Sequence, residues 1–282
     1  MDAERFVVRA MSRAELDLAI EWAAREGWNP GLDDTTAFHA VDPAGFLAGV
    51  LDGRPVASIS AVRYPGGFGF IGLYIVTPDM RGKGYGMRTW QAALRHLAGH
   101  VTGLDGVVAQ QENYRRSGFA LAYRNIRYAG TPPAGPAPAG LVDARTVPMG
   151  ALLDLDSALF PAPRPGFLAT WIGAPRNVAL AAIEDGRVTG LGVARPCREG
   201  FKVGPLYADG PATAERLFLG LGASVGGGGP LFLDVPEVNA EAVRLAERFG
   251  FTPMFETARM YNGPPPRLPL ERLYGVTTFE LG

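Results

Sequence analysis

A glycine-rich turn lies between two apolar stretches in the first third of the chain. Residues 81–86 have the sequence Arg-Gly-Lys-Gly-Tyr-Gly, after an apolar run at 70–76 that predicts a strand and before a helix-like stretch at 87–94. A turn between a strand and a helix N-terminus leaves backbone N–H groups without partners, and glycines let an anion approach them closely. The helix dipole adds positive potential at the same place. We therefore expect a diphosphate group to bind here.

The spacing of the glycines excludes the two commoner phosphate-binding turns. A Walker P-loop ends in Gly-Lys-Ser/Thr, whereas Lys83 is followed by Gly84. The Rossmann fingerprint is Gly-x-Gly-x-x-Gly, whereas the glycines at 82, 84 and 86 alternate and Met87 follows them. Nucleotide binding of these two kinds is therefore not expected.

The turn instead resembles the acetyl-CoA pyrophosphate loop of the GNAT superfamily of N-acetyltransferases. It follows that superfamily's pattern Arg-x-x-Gly-x-Gly, with Arg81 in the first position, and a Val-x-Pro sequence at 76–78 precedes it. A second element of the superfamily ends in Tyr-x-x-x-Gly-Phe, which matches residues 114–119, although its start departs from the pattern at residues 107 and 110.

The resemblance implies acetyl-CoA as the acyl donor, direct transfer to an amine in a ternary complex, and no metal. It assigns the strand end and the glycine turn to the cofactor, as residues Tyr74, Ile75, Val76, Arg81, Gly82, Lys83, Gly84, Tyr85, Gly86 and Met87. Tyr114 matches the position whose hydroxyl acts as general acid near the CoA sulfur. The alternative for Tyr114 is a tyrosine that only packs against the sheet. His96 and His100 lie four residues apart but have no third ligand near them, so no metal site is expected.

The loop around residue 30 lies where this superfamily's first helices line the acceptor pocket. Trp28, Asn29, Asp33 and Asp34 offer an indole, an amide and two carboxylates, which suit a polar or cationic acceptor. Asp33 or Asp34 is the candidate that attracts an ammonium group or relays its proton. The alternative for Asp34 is a helix N-cap before the two threonines that follow it.

The chain is a tandem repeat. Three landmarks of the first half recur 132 or 133 residues later: Asp52-Gly53-Arg54 as Asp185-Gly186-Arg187, Leu73-Tyr74 as Leu206-Tyr207, and Gly118-Phe119 as Gly250-Phe251. A duplication followed by divergence explains this register. Residues 130–140, rich in Pro, Gly and Ala, predict an extended linker between the two copies.

Only the first copy carries the glycine turn. Residues 214–219 of the second copy hold Glu215, which would repel a diphosphate, and the bulky Leu217 and Leu219 in its place. The sequence therefore predicts an acetyl-CoA-binding GNAT domain at 1–129, a linker at 130–140 and a degenerate GNAT-like domain at 141–282. The expected fold class is α/β (α+β), as tandem GNAT folds in which helices flank a mixed, mostly antiparallel sheet.

The composition of the chain excludes some classes of binding partner. Of 282 residues, 47% are apolar and 20% charged, the net charge is −1, and no basic stripe suits nucleic acid. There is no apolar run long enough to span a membrane, and residues 1–5 do not begin a signal peptide, so we expect a cytoplasmic protein. Cys197 is the only cysteine, which excludes an intramolecular disulfide. The oligomeric state is left open.

The leading hypothesis is an N-acetyltransferase that acts on the primary amine of a small molecule or peptide. One alternative is a CoA-binding regulatory protein whose catalysis has decayed. The other is an acyltransferase that uses a different acyl donor or acceptor.

Overall fold

In a computed structural model, which describes residues 5–282, the chain forms thirteen strands and eight α-helices within that range. The strands of the first half are β1 (Phe6–Ala10), β2 (Phe46–Leu51), β3 (Arg54–Tyr64), β4 (Phe68–Val76), β5 (Val101–Val107) and β6 (Ala120–Gly130). Its helices are α1 (Arg13–Arg25), α2 (Asp34–Val41), α3 (Tyr85–His96) and α4 (Gln111–Arg116). The strands of the second half are β7 (Leu141–Asp143), β8 (Val178–Glu184), β9 (Arg187–Pro196), β10 (Phe201–Ala208), β11 (Leu231–Pro236), β12 (Thr252–Tyr261) and β13 (Leu273–Gly275). Its helices are α5 (Met149–Leu159), α6 (Pro165–Gly173), α7 (Pro211–Val225) and α8 (Ala240–Arg248).

Local capping and turn residues set several of these boundaries. The Ser12 side chain accepts a hydrogen bond from the N–H of Glu15, and the Glu15 carboxylate accepts one from the N–H of Ser12, so α1 begins with a capping box. The repeated Asp-Gly turns at 52–53 and 185–186 take left-handed backbone angles, which favour glycine. They form matching hairpins in the two halves. The predicted linker contains no helix or strand over residues 131–140.

All thirteen strands belong to one sheet. The order along it is β1-β2-β3-β4-β5-β12-β6-β11-β10-β9-β8-β7, and β13 pairs with β10 beside this path. Within residues 5–282, neighbouring strands pair antiparallel except β4 with β5 and β10 with β11. Helix α3 packs on β2 and β3, and α7 packs on β8 and β9. The predicted fold class is confirmed, and the sheets of the two copies are joined into one.

The two halves exchange a strand at the centre of this sheet. Strand β12 of the second half pairs with β5 of the first, and β6 of the first half pairs with β11 of the second. The exchanged strands β6 and β12 also pair with each other, with Asn125 opposite Thr257. These two residues lie 132 positions apart, which is the spacing of the repeat, so the pseudo-twofold axis passes between them. Each half therefore completes the other half's sheet.

Two buried ion pairs join the exchanged strands to their new neighbours. Arg127 binds Asp234 with Nε–Oδ1 and Nη2–Oδ2 distances of 2.6 and 2.7 Å. Arg259 binds Asp105 with the corresponding distances of 2.9 and 2.7 Å. The two arginines are again 132 residues apart, so the pairs are copies of one contact. Bidentate geometry offsets the desolvation of these charges and favours this strand register.

The hydrophobic core also crosses between the halves. Phe38 on α2 and Trp171 on α6 stack with ring centroids 6.3 Å apart, inside a cluster that draws on both copies. In the part of the chain that the structure describes, no helix is both long and apolar enough to cross a membrane. The prediction about a signal peptide concerns residues 1–5, of which residues 1–4 lie outside the described range.

Candidate active site

A cavity of about 710 Å³ opens where β4 and β5 separate. The two strands pair from Phe68 opposite Val101 to Ile71 opposite Leu104, and the pairing ends there. Leu73, with φ of +47°, marks a bulge that turns the rest of β4 away. The far end of β4 stays bonded to β3 on one edge only, so its other edge faces the cavity.

The glycine turn closes one end of this cavity. Gly82 and Gly84 have φ of +76° and +85°, which a residue with a Cβ rarely adopts. Among the described residues, no acceptor pairs with the backbone N–H groups of residues 82–84, 86 and 87. A Cβ on Gly86 would lie 2.9 Å from the Tyr74 hydroxyl, so glycine is needed for α3 to pack on β4. The turn thus presents several unpaired donors at a helix N-terminus.

Arg81 holds the turn in place. Its Nε donates to the carbonyl of Val76 at 2.9 Å, and its Nη2 pairs with the Glu26 carboxylate at the end of α1. The side chain is half exposed, so a ligand can also reach it. Arg81 thereby ties the turn to β4 and to the first helix.

Tyr114 lies on α4 beside the point where the strands part. Its ring packs on Gly106, where a Cβ would come within 2.7 Å of the ring, and its centroid lies 5.4 Å from that of Trp90. The hydroxyl makes no hydrogen bond within residues 5–282. Burial raises the pKa of Tyr114 to about 12, with the nearby Tyr74 adding to the shift. The phenol is therefore protonated at neutral pH, as a general acid must be.

The other end of the cavity is built largely by the second half. Phe255 and Thr257 project from β12, and Phe279 and Glu280 follow β13. Arg127 lies under the two phenylalanines, with its Cζ 5.8 and 4.9 Å from their ring centroids. Sequence reasoning missed these residues. The one signal in the sequence for the last segment is the alternation of apolar and polar residues over 274–282, which is typical of a strand.

The predicted cofactor residues are brought together. Tyr74, Ile75, Val76, Arg81, Gly82, Gly84, Gly86 and Met87 all line the cavity, and Lys83 and Tyr85 complete the same turn. Trp28, predicted at the acceptor pocket, also lines it. The carbonyl of Trp28 accepts hydrogen bonds from Arg127 Nη1 at 3.2 Å and Lys202 Nζ at 2.9 Å, which fixes this residue at the cavity wall.

The structure places the other three predicted acceptor residues outside the cavity. Asn29 exchanges two hydrogen bonds of 2.9 Å with the backbone of Glu199, and Asp33 pairs with Arg176 at the surface. Asp34 is the first residue of α2 and is buried against a second-half arginine. Its carboxylate accepts from Arg195 Nε at 3.0 Å and from the N–H of Gly31 at 2.9 Å. The loop that carries Asn29, Asp33 and Asp34 therefore docks on the second half, and their positions do not support acceptor binding.

The matching cleft of the second half is filled by the chain itself. Strands β10 and β11 pair in parallel up to Val203 opposite Leu233, as β4 and β5 do in the first half. Beyond that point β13 pairs with β10 at Leu206 and Tyr207, the repeat equivalents of Leu73 and Tyr74. The N–H of Val276 then donates to the carbonyl of Asp234 on β11 at 2.9 Å. The edge that is open in the first half is thus occupied by a protein strand.

No cluster of potential metal ligands stands out in the described range 5–282: no three His, Cys, Asp or Glu side chains group together. The Cys197 thiol is buried and free, and burial raises its pKa.

Comparisons with known proteins identify the family of both halves. The model of an acetyltransferase (GNAT) family matches residues 14–120, and the model of an acetyltransferase (GNAT) domain matches residues 152–275. A holothin acyltransferase of Pseudoalteromonas sp. is 33% identical over 273 residues, which cover 96% of this chain and 92% of that protein. A mycothiol acetyltransferase of Cellulomonas flavigena is 34% identical over 111 residues, covering 33% of this chain and 31% of that protein.

Solved structures show the same two-copy fold. A proposed acetyltransferase of Pyrococcus horikoshii superposes with a TM-score of 0.85 at 21% identity, over 98% of this chain and 96% of that one. A tandem GNAT protein from the clavulanic acid biosynthesis pathway superposes with a TM-score of 0.62 at 11% identity, over 93% of this chain and 100% of that one.

Proposed function

The chain belongs to the GNAT acyltransferases, with two such domains in tandem, and on that premise we propose that it transfers an acetyl group from acetyl-CoA to a primary amine. One observation carries this proposal. A single cavity joins the unpaired N–H groups of the glycine turn, the protonated Tyr114 and a chamber large enough for an acceptor.

The residues around the first-half cleft fit an acyl-CoA. The donors of residues 82–84, 86 and 87 suit a pyrophosphate, and the open edge of β4 suits an amide-bearing chain that pairs as a strand. When bound, the cofactor would supply an acyl group activated as a thioester. The N–H of Thr77 donates to Val56 on β3 at 2.9 Å, so the N–H of the preceding residue, Val76, is directed to the opposite edge, toward the cavity. That N–H can stabilise negative charge on a carbonyl oxygen.

Tyr114 has the protonation state that the final proton transfer of such a reaction requires. Its hydroxyl is unpaired among the described residues and faces the point where β4 and β5 part, so it can donate a proton to a departing sulfur. Gln110 and Asn113 line the cavity beside it and bond to each other at 2.7 Å. They add polar groups without adding charge.

A different acyl donor is the second candidate. The Pseudoalteromonas relative is named an acyltransferase rather than an acetyltransferase, and the cavity volume of about 710 Å³ leaves room beyond an acetyl group. A small-molecule acceptor is favoured over a peptide because aromatic side chains enclose the acceptor end of the cavity. A decayed CoA-binding protein is disfavoured because both the turn and Tyr114 are in place.

The test is a turnover assay. Purified protein is given acetyl-CoA, or a longer acyl-CoA, with a panel of primary amines, and thiol release is followed with a chromogenic disulfide. Mass spectrometry identifies the amide product, and the matching alcohols serve as controls. Amine-dependent thiol release supports the proposal. Acetyl-CoA binding without thiol release for any amine would favour the decayed alternative.

A further inference from the structure

Residues 273–282, here called the closing segment, connect the two clefts. The segment begins as β13 in the filled cleft of the second half and then runs into the first half beside β4. Ser60 Oγ donates to the carbonyl of Glu280 at 3.3 Å, and the Tyr64 hydroxyl donates to the carbonyl of Leu281 at 2.9 Å. A Cβ on Gly72 would lie 2.3 Å from the Glu280 carbonyl oxygen, so backbone meets backbone at the bulged end of β4. The main chain at Glu280 is therefore held firmly at the cavity.

Among residues 5–282, three carboxylates line the cavity, and two of them pair with arginines. Glu26 pairs with Arg81 next to the glycine turn. Asp105 is bound by Arg259 through two hydrogen bonds and accepts a third from Asn125 at 2.8 Å. Glu280 differs from both. Its side chain accepts no hydrogen bond from any described residue.

The cations near Glu280 are already engaged. Arg127 on β6, Arg195 on β9 and Lys202 on β10 lie close enough to influence it electrostatically. Their hydrogen bonds go elsewhere: Arg127 binds Asp234, Arg195 binds Asp34, and Lys202 Nζ donates to the Trp28 carbonyl. Asp234 and Asp34 balance two of these three cations, so Glu280 balances the third at a distance. Glu280 is only 5% exposed, and a carboxylate this buried is costly when no described residue donates a hydrogen bond to it. An ammonium group in the cavity would donate the missing hydrogen bonds.

We propose that Glu280 binds the ammonium group of the acceptor and removes its proton, while Trp28, Phe255 and Phe279 pack against an apolar body of the acceptor. This inference rests on the proposed function and adds the substrate class, a primary amine on an apolar, ring-sized group. The Glu280 carboxylate takes one proton from the bound ammonium, and the neutral amine then attacks the thioester carbonyl to form the C–N bond. As the C–S bond breaks, Tyr114 gives its proton to the departing sulfur, and the second proton that the nitrogen must lose returns the Tyr114 phenolate to a phenol. Glu280 then releases its proton to solvent, so the ammonium and the thioester give the amide, the free thiol and one proton.

The experiment compares Glu280→Gln with Glu280→Asp in the full-length protein. Benzylamine and 2-phenylethylamine are the apolar probes, spermidine is the polar one, and acetyl-CoA is the donor. We expect Glu280→Gln to lower kcat/KM for the apolar amines by about 100-fold, which is the usual scale for losing a general base, while KM for acetyl-CoA stays unchanged. Glu280→Asp restores part of the rate because the carboxylate is kept.

The pH profile separates catalysis from a structural role. With Glu280 present, kcat/KM reaches its plateau below the pKa of the free amine, because the carboxylate takes up the proton. In Glu280→Gln the rate instead rises with pH until the free amine dominates. Glu247→Gln, an exposed glutamate on α8, is the matched control and leaves the profile unchanged.

Each outcome is decisive. Wild-type turnover of the amines with an unaltered Glu280→Gln profile overturns the role of Glu280 and leaves the proposed function standing. Turnover of spermidine alone overturns the apolar acceptor class. If the wild type releases no thiol with any amine but does so with the alcohols, the proposed function itself fails, and the role of Glu280 fails with it. Weaker acetyl-CoA binding by Glu280→Gln would indicate a structural defect and also count against the proposal.

Discussion

The two copies of the repeat have the same arrangement of strands, but the cleft between the strands is open in the first copy and filled in the second. In the first, β4 and β5 part and leave a cavity of about 710 Å³ lined by the glycine turn. In the second, β10 and β11 part in the same way, but β13 fills the gap and α7 replaces the glycine turn. The second copy has therefore not simply lost a site. The segment that fills its cleft goes on to deliver Phe279 and Glu280 to the cleft that stays open.

The exchanged strands explain why the open cleft depends on both copies. Strand β12 belongs to the second half by sequence but forms the wall of the first half's cavity through Phe255 and Thr257. The repeated ion pairs hold this exchange, with Arg127–Asp234 under the acceptor end and Arg259–Asp105 beside β5. The duplication therefore produced one site that the second copy supports structurally, and not two sites.

The largest expected effect is on stability, and measuring it tests whether the strand exchange depends on these ion pairs. Arg259→Met leaves the Asp105 carboxylate buried without its bidentate partner and should lower the free energy of unfolding by about 3–5 kcal/mol. Urea denaturation measures this loss. The double variant Arg259→Met/Asp105→Leu should recover most of it because both charges are removed. Arg124→Met breaks a more exposed pair with Glu237 and should cost at most about 1 kcal/mol. Equal losses for the two single variants would contradict the comparison.

The next effect tests the chemistry of the open cleft. Tyr114→Phe removes the proposed general acid and should lower kcat by about 100-fold or more, with little change in acetyl-CoA affinity. Because burial raises the pKa of Tyr114 to about 12, the wild type should show no loss of rate from this group until the pH approaches that value. Tyr274→Phe, on the strand that fills the other cleft, should leave kcat unchanged. A pH–rate profile of each variant decides the matter, and an undiminished kcat in Tyr114→Phe would remove this residue from the mechanism.

A smaller effect tests the glycine turn. Gly84→Ala forces a Cβ into a backbone with φ of +85°, which costs about 1–2 kcal/mol and displaces the donors at the start of α3. The Kd for acetyl-CoA, measured by calorimetry, should rise by about tenfold. Gly186→Ala meets the same strain at φ of +75° in the second-half hairpin but should leave this Kd unchanged. If both variants bind alike, the turn does not form the CoA site.

The cofactor end could be predicted from sequence because its determinants are local. Glycines that need positive φ, the preceding strand and the following helix all lie between Phe68 and His96, so their order already fixes their geometry. The hairpins at Asp52-Gly53 and Asp185-Gly186 and the Ser12 cap are local features of the same kind. Because the two copies align in the sequence, the positions at which the second copy departs from the first could also be identified.

The acceptor end could not be predicted because its residues meet only through the exchange. No local pattern places Phe255 or Glu280 beside β4, since a simple tandem arrangement would keep β12 within its own half. The loop at 29–34 lies apart from the cavity for a related reason. Its polar side chains suit a ligand pocket equally well when taken alone, but in the folded chain they meet Glu199, Arg176 and Arg195 of the other copy.

The smallest expected effect distinguishes two roles for the loop at 29–34, namely acceptor binding and contact with the second copy. The Asp33–Arg176 pair is partly exposed, so Asp33→Asn should lower the free energy of unfolding by less than about 1 kcal/mol and leave kcat/KM for the amine unchanged. The hydrogen bond from Arg176 lowers the pKa of Asp33 below its unfolded value. The pair therefore stabilises the protein above the unfolded pKa of Asp33 and loses its effect as the pH falls through the lower, folded value. Asp33→Asn should thus match the wild type in acid and differ slightly from it at neutral pH, as chemical denaturation at both pH values would show. A large fall in kcat/KM with unchanged stability would instead support the prediction that Asp33 binds the acceptor. The contact between this loop and the second copy would then serve to position a substrate-binding residue.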